Sequence, residues 1–138
     1  MSPMRLLLVC AVVLIAAGSA AADVPVRATL TTSSTRALVG VPWAYTIAVQ
    51  GIADGPVDAR VKLQVLRGHR VVRCWTGSAL VPCSSAGSAI WIAFRGSRRG
   101  AIVWPARLAG SRLTFHVLVA TGTRSLSLDA PVSVRSGP

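Results

Sequence analysis

Trp43-Ala44-Tyr45-Thr46-Ile47-Ala48-Val49-Gln50 places its largest apolar side chains at every second position, with Ala44, Thr46, Ala48 and Gln50 between them. A period of two sends one set to each face of a pleated backbone, so this stretch reads as a half-buried β-strand. Gly51-Ile52-Ala53-Asp54-Gly55-Pro56 follows, and its glycines and proline are turn residues. Beyond the turn, Val57, Ala59, Val61, Leu63 and Val65 alternate with Asp58, Arg60, Lys62 and Gln64. This second strand has one apolar face and one charged face.

The same rhythm extends in both directions. Upstream, Val24, Val26, Ala28 and Leu30 alternate with Arg27, Thr29 and Thr31. Downstream, Arg67-Gly68-His69-Arg70 reads as a tight turn, and Val71-Val72-Arg73-Cys74-Trp75 returns beside the previous strand as a hairpin. Thr76 to Ser88 forms a loop around Cys83. Residues Ala89 to Arg95 are apolar on both sides, which predicts a central strand. Gly96-Ser97-Arg98-Arg99-Gly100 predicts an exposed loop, and Ala101 to Trp104 a short apolar piece stopped by Pro105. In the last hairpin Leu113, Phe115, Val117 and Val119 alternate, Thr121-Gly122-Thr123 turns, and Leu126, Leu128, Ala130, Val132 and Val134 alternate back. Pro131 lacks a backbone N–H and predicts an edge position for that final strand.

No stretch of ten residues after the N-terminal region keeps a 3.6-residue period. About seven strands with frequent turn signals imply an all-β chain, an immunoglobulin-like antiparallel β-sandwich, with a closed barrel as the alternative. The chain has 138 residues, 52% hydrophobic and 14% charged, with a mean hydropathy of +0.58. One small domain fits that length, and a chain kept disordered by charge is excluded because the apolar fraction is too high.

At the N-terminus, Arg5 precedes the apolar run Leu6 to Ala17, and Gly18-Ser19-Ala20-Ala21-Ala22 supplies small residues with Ala20 and Ala22 in A-x-A spacing. Residues 1–22 therefore read as a cleavable signal peptide, the run being too short for a membrane span. An uncleaved anchor is the alternative. Leu8-Val9 before Cys10 does not suit lipid attachment. Residues 23–138 then form the exported domain, secreted or held in the periplasm or cell envelope, with no membrane span after signal removal. Cys74 and Cys83 would meet an oxidising compartment there, and a disulfide is the expected state. A redox or metal pair would want C-x-x-C spacing or further ligands, which the sequence lacks.

The segment Val39-Gly40-Val41-Pro42-Trp43-Ala44-Tyr45-Thr46-Ile47-Ala48-Val49, followed by Asp54-Gly55-Pro56-Val57-Asp58-Ala59-Arg60-Val61, resembles the bacterial Ig-like domains of secreted and surface proteins over about residues 39–65. Those domains run an alternating strand through a Gly-Pro-Val turn into a second strand. The resemblance implies a sandwich fold, an extracytoplasmic location and a role as spacer or binding module. It transfers no catalytic or ligand residue.

Few residues offer chemistry. His69 and His116 are the only histidines, and neither has the neighbours of a metal site in sequence. A hydrolase set can be drawn from a serine, His116 and Asp129, but no G-x-S-x-G surrounds any serine, and no carboxylate pair or phosphate loop is present. Enzymatic activity, a cofactor and a metal are therefore not expected. The net charge of +11 is the unusual feature: fifteen basic residues face four acidic ones, and all but Lys62 of the fifteen are arginine. Arg60, Lys62, Arg67, Arg70, Arg73, Arg98 and Arg99 are the candidate polyanion patch, because guanidinium forks match phosphate and carboxylate and their summed field steers anions. A merely solvated basic face is the competing reading. No helix-turn-helix, zinc finger or RNA-binding motif points to sequence-specific nucleic-acid reading. Among the tryptophans, Trp43 and Trp91 fall in apolar alternation and are expected inside. Trp75 is placed to pack on the disulfide, and Trp104, before Pro105, is the candidate surface aromatic. Function is thus expected to be that of a secreted, non-enzymatic binding or structural module. Its partner would be an anionic envelope polymer or a protein, and a cationic polyanion-binding protein is the alternative.

Overall fold

The computed structural model describes residues 25–51, 55–83, 90–122 and 124–137. Residues 1–22, expected to be a signal peptide, and positions 84–89 of the cysteine loop lie outside the described residues. In chain order the strands are β1 (Arg27–Thr32), β2 (Arg36–Leu38), β3 (Pro42–Gln50), β4 (Asp58–Arg67), β5 (Arg70–Trp75), β6 (Leu80–Val81), β7 (Ile92–Arg95), β8 (Ser97–Val103), β9 (Arg112–Thr121) and β10 (Arg124–Arg135). β1, β3, β4, β5, β9 and β10 answer to strands expected from alternation, and β7 to a shortened part of the strand expected over Ala89 to Arg95; β8 is longer than the short apolar piece expected there, and β2 and β6 are short additions. A 3-10 turn, Ala106–Leu108, follows β8.

Two sheets result. One is β1-β3-β8, and the other is β2-β10-β9-β4-β5-β6, with β7 beside the first half of β4. Adjacent β10, β9 and β4 in one sheet, facing β1, β3 and β8 in the other, is the strand order of an immunoglobulin-like sandwich. All pairings are antiparallel except β2 with β10, which is parallel. Pro131 lies where β10 has only β9 beside it, whereas Ser133 to Arg135 gain β2 as a second neighbour, so β10 is an edge along most of its length but not at its end.

Alternation decides what the sheets enclose. β3 contributes Trp43, Tyr45, Ile47 and Val49, β4 contributes Val61, Leu63 and Val65, and β9 contributes Phe115, Val117 and Val119, all buried in one core. Burial of each such valine, isoleucine, leucine or phenylalanine contributes about 1.5–3 kcal/mol. Phe115 of β9 meets both Trp43 and Tyr45 of β3 at ring centroid distances of 5.3 Å. Antibody domains join the corresponding strands with a disulfide; aromatic packing spans the sheets here.

Two expectations are corrected along the chain from Ala89 to Gly100. The apolar stretch is not a central strand: β7 has four residues and β4 is its only partner among the described strands. The segment Ser97 to Gly100 is not a loop but the first half of β8, paired with β3. Its glycines serve packing rather than exposure. Gly96 changes sheets, donating its N–H to Val57 of the second sheet and accepting from Val49 of the first. Its φ of 77° and the closeness of Pro56 leave no room for a side chain. Gly100 lies under Tyr45, and a Cβ there would overlap the phenol.

Candidate anion-binding site

The β4–β5 hairpin and the 3-10 turn build one end of the sandwich. Arg67 and Arg70 are register partners across the two-residue turn Gly68-His69, so their side chains start side by side. A register shift between Val65 and Leu66 reorients the strand pair just before this turn, as an extra residue in one strand does. Arg73 follows on β5 and donates from Nη1 to the Val72 carbonyl at 2.8 Å. From the other side comes Arg107. Pro105 sets the start of the 3-10 turn, and buried Leu108 anchors it to the core, leaving Arg107 exposed. The turn closes through N–H bonds from Leu108, Ala109 and Ser111 to the carbonyls three residues earlier, and Gly110 donates to Val134 at 2.8 Å.

Arg67, Arg70, Arg73 and Arg107 together line a surface hollow of about 450 Å³, walled on one side by Pro82 and Cys83. Cys83 is joined to Cys74 of β5, with 5.2 Å between their Cα atoms. The expected disulfide therefore exists, and it ties the wall of the hollow to a strand. Among the described residues no acidic side chain lines it. Asp58 and Asp129, the only acidic residues among those described, are engaged elsewhere: Asp58 accepts from Arg95 at 3.0 Å, and Asp129 pairs with Nδ1 of His116.

The other residues of the expected patch do not join this hollow. Arg60 and Lys62 project from the outer face of β4 and stand over the Trp91 ring, at 5.2 and 4.8 Å from its centroid. Arg98 and Arg99 belong to β8 in the opposite sheet. Arg98 shares the inward parity of Ile102, and its Nε is buried without a partner. Strand geometry, which alternates faces and divides neighbours in sequence between two sheets, disperses the patch.

The tryptophans are reassigned in the same way. Trp104, expected at the surface, is 0% exposed and packs edge-on against Trp43 at 5.4 Å. It continues the inward parity of Gly100 and Ile102 across the end of β8, and Pro105 stops the strand only after Trp104 has turned inward. Trp91, expected in the core, is 41% exposed because it lies on the face opposite Ile92 and Phe94. Trp75 is buried and belongs to the core, paired with Leu80, while Cys74 shares register with Gln64 of the outer face. Adjacent strand residues point to opposite faces, so Trp75 and Cys74 start on opposite faces of β5.

His116 and Asp129 are cross-strand partners on the outer face, so two members of the weighed hydrolase set do meet. Among the described residues no hydroxyl is hydrogen-bonded to His116, and the pair lacks a nucleophile. Arg107 was outside the sequence-derived patch. Its signal was the short Pro-Ala-Arg-Leu segment, in which proline starts a helical turn and leucine anchors it. No family model matches this chain, and no curated protein or solved structure matches it either.

Proposed function

We propose that this chain is an exported, non-enzymatic immunoglobulin-like module of the cell envelope or extracellular space, and that it binds an anionic polymer through Arg67, Arg70, Arg73 and Arg107. The observation that carries this reading is the convergence of four guanidinium groups on one hollow that no acidic side chain among the described residues lines. Guanidinium forks present paired donors to phosphate or carboxylate oxygens. Grouped in a concave site, they raise the local concentration of anions and speed their encounter. The signal-like N-terminus, the Cys74–Cys83 disulfide and the likeness to bacterial Ig-like domains support export. An oxidising compartment is where such a bond persists.

The test is retention of the exported protein on phosphocellulose across a salt series. Retention should fall steeply with ionic strength. Replacing Arg67, Arg70 and Arg73 by Ser should weaken retention and flatten its salt dependence, while shifting stability by no more than about 0.5 kcal/mol. A triple variant that elutes with the unaltered protein would leave a spacer as the better account.

A further inference from the structure

Resting on the anion-binding reading above, we infer that the ligand is a linear phosphate polymer and that Arg112 and Arg135 form a second subsite for it. A second hollow, of about 500 Å³, lies on the other side of the segment that follows the 3-10 turn. Ser111, Arg112, Ser133, Arg135 and Ser136 line it. The two hollows adjoin at one contact: Arg67 of the first donates from Nη2 to Oγ of Ser111 in the second, at 3.1 Å. That segment is held in place, since Gly110 donates to Val134 and Val134 donates back to Ser111.

Register explains why cations gather there. Arg112 of β9 is opposite Ser133 of β10, which is in turn opposite Arg36 of β2, so all three share the outer face of the larger sheet. Arg135 lies two residues further along the same face. The nearest described carboxylate on β10 is Asp129, about 13 Å along the strand from Ser133 and already paired with His116.

The lining chemistry selects the ligand class. No aromatic side chain lines either hollow, so there is no platform on which a sugar ring or base would stack. What the hollows offer is guanidinium and hydroxyl donors, arranged in two places joined by Arg67 and Ser111. A single phosphate occupies one place. A chain of phosphates occupies both, and its second contact is intramolecular, which raises affinity without any new kind of contact.

The experiment titrates the exported protein with pyrophosphate, long-chain inorganic polyphosphate and poly(glycerol phosphate), compared per phosphate group. Expected is tighter binding of a long chain than of pyrophosphate. The Arg112→Ser, Arg135→Ser variant should lose about tenfold in affinity for the polymer and lower the salt slope by about 1.5, with a smaller loss for pyrophosphate, which still has the first hollow. The Arg112→Lys, Arg135→Lys variant keeps the charge and should retain the slope. Preference between the two long chains identifies a phosphoanhydride or a phosphodiester backbone as the source. If the double Ser variant binds polymer as the unaltered protein does, or if chain length has no effect, the second subsite is refuted while the first hollow stands. If no phosphate compound binds at all, both readings fall together.

Discussion

The two ends of the sandwich carry hollows of similar size, about 450 Å³ at the β4–β5 turn and about 550 Å³ where β4 begins, and arginine lines both. They differ in company. At the first, Arg67, Arg70, Arg73 and Arg107 share the hollow with no acidic residue; at the second, Asp58 pairs with Arg95, and Ala93, Phe94 and Ala120 supply an apolar lining. A carboxylate about 4 Å from a cation offsets roughly 1 kcal/mol in water and several times that where water is partly excluded. Among the described residues, the placement of carboxylates rather than the abundance of arginine is what distinguishes the two ends.

The largest expected effect tests the floor beneath the arginine end. Trp104 is fully buried against Trp43, and Trp104→Ala should destabilise the fold by about 3–5 kcal/mol. Trp91→Ala, at the exposed aromatic, should cost no more than about 1 kcal/mol, the scale of an exposed cation–π contact. Urea unfolding of the two variants measures the difference, and equal losses would contradict the exchange of roles between these tryptophans.

Opening the disulfide comes next. Converting Cys74 and Cys83 to Ala should remove about 2.7 kcal/mol, the chain-entropy value for so short a loop, without abolishing the fold, because most of the core comes from β3, β4, β9 and β10. Because Cys83 walls the arginine hollow, polyphosphate affinity should fall with it, whereas the hollow around Asp58 should be unaffected. Intact mass of the unreduced protein, two hydrogens below the reduced value, confirms the starting state.

Moving a carboxylate between the ends gives the two smaller effects. Ser111→Asp would place an acid against Arg67, as Asp58 stands against Arg95. Affinity for polyphosphate should drop roughly tenfold, corresponding to about 1.4 kcal/mol. Asp58→Asn does the reverse at the other end. Its ion pair is 63% exposed on the arginine and 84% on the aspartate, so thermal denaturation should register a loss of no more than about 1 kcal/mol. Weak additional polyanion binding should appear in the same variant. If neither substitution changes binding, carboxylate placement is not what distinguishes the ends.

Much of the strand content was legible because a half-buried strand writes its two faces directly into alternate residues. Trp43 to Gln50, Asp58 to Val65 and Leu113 to Val119 read this way, and the core contains the residues that alternation selects. The Arg67 to Arg70 hairpin was equally legible, since a two-residue turn places its flanking residues together by local geometry. The Cys74–Cys83 pair also followed from the sequence, both residues lying near one another in the chain.

Partnership between strands was not legible in the same way, because alternation says which residues share a face and not which sheet that face belongs to. Gly96 sends β7 and β8 into different sheets by a single backbone reversal, and that step separates Arg98 and Arg99 from the hairpin arginines. Trp91 and Trp104 exchanged their expected environments for the same reason: each obeys the parity of its strand, and only the placement of β7 and β8 decides whether that parity faces core or solvent. Arg107, Arg112 and Arg135, distant from the hairpin in sequence, reach its end of the molecule because β9 runs antiparallel beside β4, so that the start of β9 and the 3-10 turn before it lie there, and β10, antiparallel to β9, ends there. Local composition thus supplied the strands and the hairpin, while the long-range pairing that closes the sandwich assembled the basic end from residues with no local signal of their proximity.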